Sequence, residues 1–297
     1  MPSQPRRVVE DPRVTVVVAS RDRRADLLAT LGRHRAPVIL VDNGSSDGTP
    51  DAVRRAHPDV EVVEAGRNLA AAGRNVGVQR ARTPFVAFAD DDSWWEPGAL
   101  HAAAELLDAH PEVAVVQVDV LVGEENRRDP FCDELTRSPL PRDGAPAIPV
   151  LGFMACAAMV RREDFLAVGG FDDVVRFPGE EERLSWDLAA AGRSLVYLPG
   201  PVVHHHPSQH RHDPFSRQRR VTRSRVLSGA LRLPWRDAVG RVGEEWRAGA
   251  ARRQGVLDAL GDLPAAVRQR RPLPGPVLAD IALTSGGSTS PRVSRRT

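Results

Sequence analysis

Three adjacent carboxylates, Asp90, Asp91 and Asp92, follow an apolar run at residues 85–89. Carboxylates crowded at a strand end repel one another, so they cost stability unless a cation offsets their charge. Mg2+ or Mn2+ takes one or two protein carboxylates and completes its shell with water and substrate phosphates. Because side chains alternate along a strand, Asp90 and Asp92 are expected on one side and Asp91 on the other. The spacing predicts a divalent-metal site for a diphosphate-bearing substrate; a solvated acidic turn is the alternative.

Another carboxylate, Asp42, ends the apolar run at residues 38–42, and Asn-Gly-Ser-Ser-Asp-Gly-Thr follows it. The glycines and small polar residues suit a tight turn into a helix, with Ser46, Asp47 or Thr49 as the N-cap. Turn chemistry leaves Asp42 unexplained. At a strand end, its carboxylate can accept hydrogen bonds from the imino and amide groups of a ligand.

An acidic triplet, Glu180, Glu181 and Glu182, begins a predicted helix at residues 180–191. Acidic side chains in a first helical turn interact favourably with the helix dipole, which accounts for one or two of them. A group transfer to a hydroxyl also needs a base that takes the hydroxyl proton. Both roles are open to this triplet.

Three histidines, His204, His205 and His206, follow a predicted strand at residues 194–198 and the pair Pro-Gly. Neutral imidazole is a common metal ligand. Alternation along a strand would let His204 and His206 share the face opposite to His205. A polar strand end without a ligand role is the alternative for each of them.

These residues must be positioned by a sheet. Short β-branched runs alternate with alanine-rich, helix-compatible segments, and the runs are residues 14–19, 38–42, 60–64, 85–89 and 113–118. Nearly continuous apolar runs are typical of strands buried on both faces of a parallel sheet. The pattern therefore predicts an α/β, doubly wound fold, in which ligands bind beyond the carboxyl ends of the strands.

The second half of the chain is less regular. Residues 123–149 are rich in proline and charge and are predicted to form a long loop that can cover a site. An apolar stretch at residues 151–160 follows. Beyond Pro207, the pattern predicts arginine-rich amphipathic helices broken by Pro234 and Pro264.

The composition of the 297 residues is that of a globular protein, with 41% hydrophobic residues, a net charge of +2 and no lysine. No apolar run approaches the roughly 18 residues of a membrane span. The first residues lack the apolar core of a signal peptide, so we expect a cytoplasmic location and no nucleic-acid partner. The basic helices suggest peripheral contact with anionic lipids at the inner membrane face, or a solvated cap on the domain.

Six motifs occur in one order: Val-Asp-Asn-Gly-Ser-Ser-Asp-Gly-Thr at 41–49, Asn68, Gly-Arg-Asn-Val-Gly at 73–77, Asp-Asp-Asp at 90–92, Val-Gly-Gly-Phe-Asp at 168–172 and Gly-Glu-Glu-Glu-Arg-Leu-Ser-Trp at 179–186. Over residues 14–206 the chain resembles family 2 glycosyltransferases of the GT-A fold. The resemblance implies a mostly parallel sheet flanked by helices, with a helical C-terminal extension. It also implies metal-dependent, inverting transfer of a hexosyl or deoxyhexosyl group from a nucleotide-diphosphate sugar to an acceptor hydroxyl of a glycan, a lipid-linked molecule or a small molecule.

The resemblance also implies roles for individual residues. The metal, Mn2+ or Mg2+, would be held by Asp90, Asp92 and His205. Glu181 would be the base, with Glu180 as the alternate. The donor would be bound by Ser20, Asp42, Asn68, Arg74, Asp90 and Asp91.

We expect a flexible N-terminus at residues 1–12, a GT-A domain at 13–210, an arginine-rich helical extension at 211–283 and a disordered tail at 284–297. A haloacid-dehalogenase-type phosphatase is disfavoured, because Trp94 stands where its motif has Thr or Val and no lysine is present. A sugar-nucleotide-forming nucleotidyltransferase would need a Gly-rich signature after the first strand, which is missing. A catalytically inactive nucleotide-sugar-binding protein is the remaining alternative.

Overall fold

The computed structural model describes residues 7–207 and 213–286, and its centre is one ten-stranded sheet. The strands are β1 (Val14–Ser20), β2 (Val38–Asp42), β3 (Glu61–Glu64), β4 (Phe85–Ala89), β5 (Ser93–Trp95), β6 (Val113–Val122), β7 (Arg127–Arg128), β8 (Ile148–Pro149), β9 (Ala158–Arg161) and β10 (Ser194–His205). Their order is β3-β2-β1-β4-β9-β6-β10-β5, with β7 beside β6 and β8 beside β10.

Seven α-helices accompany these strands. They are α1 (Arg24–Thr30), α2 (Thr49–Ala56), α3 (Gly73–Arg80), α4 (Ala99–Ala109), α5 (Pro130–Thr136), α6 (Arg162–Ala167) and α7 (Glu180–Ala190). Helix α3 packs directly on β1 and β2. A Cβ atom at Gly77 would lie 2.4 Å from Cγ1 of Val17, so glycine permits this close helix-to-sheet contact.

The first half of the sheet is parallel, since β2 pairs with both β3 and β1, and β1 pairs with β4. The side chains of β2 and β4 are buried throughout, which explains their continuous apolar runs. The five predicted strands are all present, and the α/β class is confirmed. The carboxyl ends of β1, β2 and β4 meet at one edge of the sheet.

The second half of the sheet is mixed. Strand β9 lies antiparallel between β4 and β6, and β5 pairs antiparallel with β10. Strand β10 continues past the predicted end at Leu198, because a register shift between Leu198 and Val202 accommodates Pro199 and Gly200. Residues 123–149 were predicted to form one long loop. The structure instead has β7, α5 and β8 in this segment, and these elements pair with or pack on the sheet.

The C-terminal helices are α8 (Pro214–Arg232), α9 (Trp235–Arg247), α10 (Ala250–Ala259), α11 (Leu263–Arg268) and α12 (Gly275–Gly286). Pro234 separates α8 from α9 as predicted. Pro264, however, lies in the first turn of α11, where proline is tolerated because the helix needs no N–H there. Within the described part of the chain, no helix is long and apolar enough to cross a membrane.

Polar contacts join these helices to the sheet domain. Arg232 of α8 donates hydrogen bonds to Asp187 of α7, and Arg241 of α9 donates to Glu182 at 2.8 Å. The predicted domain division is not tested by these contacts and stays a prediction. The predicted flexible N-terminus and disordered tail fall largely on residues 1–6 and 287–297, which lie outside the described residues.

Candidate active site at the carboxyl edge of the sheet

Two of the three adjacent aspartates converge with a histidine at this edge. The backbone N–H of Asp90 donates to Oγ of Ser93 at 2.8 Å, which turns the chain from β4 into β5. Pairing of β5 with β10 places His205 opposite Ser93. His205 Nε2 lies 3.3 Å from Asp92 Oδ1. One ligand atom each from Asp90, Asp92 and His205 lies within 4.8 Å of the others.

The neighbouring histidines contact an aromatic ring instead. The ring of His204 stacks on Trp94 with centroids 5.2 Å apart, and the ring of His206 is tilted on it at 4.7 Å. Arg33 lies over the same indole, 4.1 Å from its centroid. Among the three histidines, the structure therefore brings His205 to the aspartates.

Asp91 points away from that group, toward β1. Ser20 Oγ donates to Asp91 Oδ2 at 2.6 Å, and Thr30 Oγ1 donates to the Asp91 carbonyl at 2.7 Å. Burial raises the pKa of Asp91 to about 7; the Ser20 hydrogen bond opposes this, and the charges of Asp90 and Asp92 add to it. Ser20 and Asp91 therefore form a hydrogen-bonded pair, which the sequence did not reveal.

Asp42 at the end of β2 is 2% exposed. Its Oδ2 accepts the backbone N–H groups of Gly44 and Ser45 at 3.1 and 2.9 Å, so turn chemistry accounts for one oxygen, contrary to expectation. Its Oδ1 is buried and has no hydrogen-bond partner among the described residues. A buried acceptor without a donor costs free energy, and a ligand N–H would satisfy it.

Arg74 of α3 lies inside the site and is 4% exposed. Its guanidinium donates to Asp90 Oδ1 at 2.6 Å and to Glu180 Oε1 at 3.3 Å. Burial alone would lower the pKa of Arg74, but the charges of Asp90, Glu180 and Glu181 raise it above its ordinary value. The resemblance implies that Arg74 contacts the donor. In the structure its guanidinium is instead paired within the protein, where it links Asp90, a candidate metal ligand, to Glu180 of α7.

The two glutamates at the start of α7 differ in environment. Glu180 is 1% exposed and paired with Arg74, whereas Glu181 is partly exposed and its Oε1 accepts the N–H of Ala155 at 3.4 Å. Burial raises the pKa of both side chains, and the neighbouring charge of Glu181 raises the pKa of Glu180 further. Of these two carboxylates, Glu181 is therefore the more accessible to a ligand.

Other residues organise the loops. Asn68 is exposed and its Oδ1 accepts the N–H of Ala70 at 2.8 Å, so its described hydrogen bond is a local turn contact. Asn43 is 5% exposed and donates to the Ala70 carbonyl at 3.0 Å. Asp22 accepts the N–H of Ser46 at 2.7 Å, which ties the loop after β1 to the loop after β2. Sequence reasoning missed both residues, although Asn43 directly follows β2 and Asp22 stands two residues after the end of β1.

The sequence of this chain is similar to sequences of known proteins. The profile of glycosyl transferase family 2 matches residues 10–169, a segment that includes Asp42 and the three aspartates and ends before α7. A pre-mycofactocin glycosyltransferase from Mycobacterium tuberculosis is 34% identical over 208 residues, which are 66% of this chain and 43% of that protein. An N-acetylglucosaminyl-diphospho-decaprenol L-rhamnosyltransferase from the same organism is 26% identical over 209 residues, 57% of this chain and 66% of that protein.

Solved structures agree on the fold. A mannosyltransferase from Pyrobaculum calidifontis, in complex with GDP-Man and Mn2+, superposes with a TM-score of 0.56 at 22% identity. The superposition covers 97% of this chain and 81% of the mannosyltransferase chain. S. aureus TarS 1-349 in complex with UDP gives a TM-score of 0.53 at 17% identity over 86% of this chain and 80% of its own. These likenesses confirm the GT-A fold. The chain spans less than half of the first curated relative, yet the profile covers more than half of the chain. The chain belongs to glycosyl transferase family 2.

Proposed function

We propose that this chain is a metal-dependent, inverting glycosyltransferase that moves a hexosyl or deoxyhexosyl group from a nucleotide-diphosphate sugar to an acceptor hydroxyl. The observation that carries the proposal is the convergence of Asp90, Asp92 and His205 at the strand ends. Family membership supports the reaction class. The glycosyl groups and acceptors named for the relatives belong to those proteins and support only a broad class here.

The three side chains fit a divalent ion. Two carboxylates and an imidazole are suitable ligands for Mn2+, and the carboxylates also suit Mg2+. When bound, the ion would neutralise the charge of the donor diphosphate and stabilise it as a leaving group. A second group of possible ligands consists of Asp11, His101 and Glu105, but both of its carboxylates already accept hydrogen bonds from Arg13.

The donor nucleotide would lie over the ends of β1 and β2. The unpaired Oδ1 of Asp42 supports a contact with a base N–H, and the Ser20–Asp91 pair supports contact with a base or ribose. The likeness to structures that hold GDP-Man or UDP favours a nucleoside diphosphate in this place. Asn68 stays a predicted donor contact, and Arg74 would act on the donor through Asp90.

In this mechanism the acceptor oxygen attacks the anomeric carbon from the face opposite to the phosphate. The bond between that carbon and the phosphate oxygen breaks, and the nucleoside diphosphate leaves with the electron pair. The acceptor proton passes to Glu181, whose carboxylate is the more exposed of the pair; Glu180, held by Arg74, is the alternate. One displacement inverts the configuration of the sugar.

A panel of nucleotide sugars with Mn2+ tests the proposal. A true donor should raise thermal stability in a metal-dependent way, by about 2.7 kcal/mol at a hundredfold its dissociation constant. That donor should then release its nucleoside diphosphate when acceptors or water are present. Metal-dependent binding without any release would identify a catalytically inactive nucleotide-sugar-binding protein, and no binding by any donor would refute both functions.

A further inference from the structure

Helix α9 carries a row of exposed apolar side chains. Trp235 is 52% exposed, Val239 is 67% exposed and Trp246 is 44% exposed. With about 3.6 residues per turn, positions 235, 239 and 246 fall within roughly 40° of one another around the helix. The three side chains therefore form one outward stripe, which we call the α9 stripe.

Another side of α9 faces the rest of the protein and carries buried polar groups beside Ala238, which is 7% exposed. Arg241 donates to Glu182 of α7 at 2.8 Å, and Glu245, which is 2% exposed, lies 3.0 Å from Arg225 and 3.2 Å from Arg252. An ordinary surface helix buries its apolar side and exposes its polar side. Helix α9 buries Ala238 and packs Val242 on a hydrophobic cluster, but it leaves Trp235, Val239 and Trp246 exposed, so packing within the described part of the chain does not account for the α9 stripe.

Charge is arranged beside the stripe. The exposed arginines Arg236 and Arg247 lie about 100° to 120° from the first tryptophan, whereas the exposed acids Asp237 and Glu244 lie at roughly 180° to 200°. Arg253 donates to the Trp246 carbonyl at 2.9 Å, which adds a third cation at the end of the stripe. Residues 213–286 contain fourteen arginines and seven acidic residues, so the whole segment is basic.

We propose that the α9 stripe docks on an anionic lipid surface, with Trp235, Val239 and Trp246 in the interface and Arg236 and Arg247 on the lipid phosphates. Tryptophan beside arginine is typical of helices that lie in a membrane interface. A twofold contact between two copies of α9 would set equal rows of arginine against each other, which charge disfavours. The docking is independent of the proposed sugar transfer.

The docking would also place the candidate active site near the lipid. Arg241 on the inner side of α9 contacts Glu182, the third residue of α7, and α7 begins with Glu180. One helix diameter of about 10 Å therefore separates the α9 stripe from the helix that carries the candidate base. An acceptor at the membrane surface would lie within reach of this edge.

Sedimentation with vesicles tests the proposal on the full chain. Vesicles of phosphatidylcholine alone are compared with vesicles that also contain phosphatidylglycerol. The chain should bind the anionic vesicles, with a blue shift of tryptophan emission, and binding should weaken at high salt. Trp235→Ser with Trp246→Ser should reduce partitioning about tenfold for each half-exposed ring. Arg236→Gln with Arg247→Gln, which removes two positive charges, should reduce it about thirtyfold.

Val8→Ser removes another exposed apolar side chain, 60% exposed and outside α9, and should bind as the unmodified chain does. Unchanged thermal midpoints show that the variants fold. Equal binding by the stripe variants and the unmodified chain overturns the proposal, as does the absence of binding to anionic vesicles. Light scattering that shows a dimer lost in the stripe variants, without vesicle binding, would assign the stripe to a second copy and overturn the lipid proposal.

Discussion

Replacement of Arg74 by methionine keeps a long, unbranched side chain and removes the guanidinium that joins Asp90 to Glu180. Removing one partner of a buried ion pair typically costs about 3–5 kcal/mol, because the remaining charge stays buried without compensation. Arg74 is 4% exposed and donates to both carboxylates, so we expect a loss in that range at pH 7.5.

The loss should depend on pH. Burial and the charge of Glu181 already raise the pKa of Glu180, and Arg74 opposes them; without Arg74 that pKa rises further. The unfolded glutamate keeps an ordinary pKa of about 4.3. Between the two values the folded state binds more protons than the unfolded state, so stability falls as pH rises. In the unmodified chain the pKa of Glu180 is about 8, so both chains share this fall at lower pH, and the extra loss of the variant should grow between about pH 7.5 and pH 9.

Urea unfolding of the unmodified chain and of Arg74→Met at both pH values measures the effect. Arg80→Met is the matched control, since Arg80 lies on the same helix in an exposed pair with Glu61, 2.5 Å apart, where a cost of about 0–1 kcal/mol is expected. Adding Glu180→Gln to Arg74→Met should restore part of the stability. A loss below about 1 kcal/mol at pH 7.5, or one that does not change with pH, would refute the role of Arg74 as the neutralising group.

Three further outcomes are expected. Asp42→Asn should weaken nucleoside-diphosphate binding about tenfold or more in calorimetry, as charged hydrogen bonds contribute roughly 1.5–3 kcal/mol; unchanged affinity would make the role of Asp42 structural. Glu181→Gln should lower single-turnover transfer about 10²–10⁴-fold with nucleotide affinity retained, whereas Glu182→Gln should not; if Glu180→Gln alone abolishes transfer, the base is Glu180. Burial lowers the pKa of His34 to about 3. Below about pH 6.5 the unfolded histidine binds a proton that the folded one does not, so the free energy of unfolding should fall by roughly 1.4 kcal/mol per pH unit. Thermal midpoints from pH 7 to 4 should therefore fall less steeply for His34→Phe, and equal slopes would contradict this.

Much of the site follows from local patterns that a sequence displays. The continuous apolar runs fix β2 and β4, so Asp42 and Asp90 must stand at their ends. Side-chain alternation predicts that Asp91 points away from Asp90 and Asp92, and the structure has this arrangement. Periodicity and turn composition are properties of residues that are close in sequence, so they can be recognised before the fold is known.

Other features depend on residues far apart in sequence. Arg74 meets Glu180 across 106 positions, so no local pattern predicts that it is a buried link. The extension of β10 beyond Pro199 depends on its pairing with β6 and β5, and pairing decides that His205 lies with the aspartates. The α9 stripe is equally non-local, because the exposed side of α9 is known only once its other side is seen to pack on α8 and α10.

Calorimetric binding of the nucleoside diphosphate identified by the donor screen, with Mn2+ and then with EDTA, tests the metal site most directly. The unmodified chain should bind the nucleotide at least about tenfold more tightly with Mn2+ than with EDTA. Asp92→Asn should lose most of this difference, because the proposed site needs Asp90, Asp92 and His205 to bind the ion jointly. Equal affinity in Mn2+ and EDTA, or an undiminished metal effect in Asp92→Asn, would contradict the central claim.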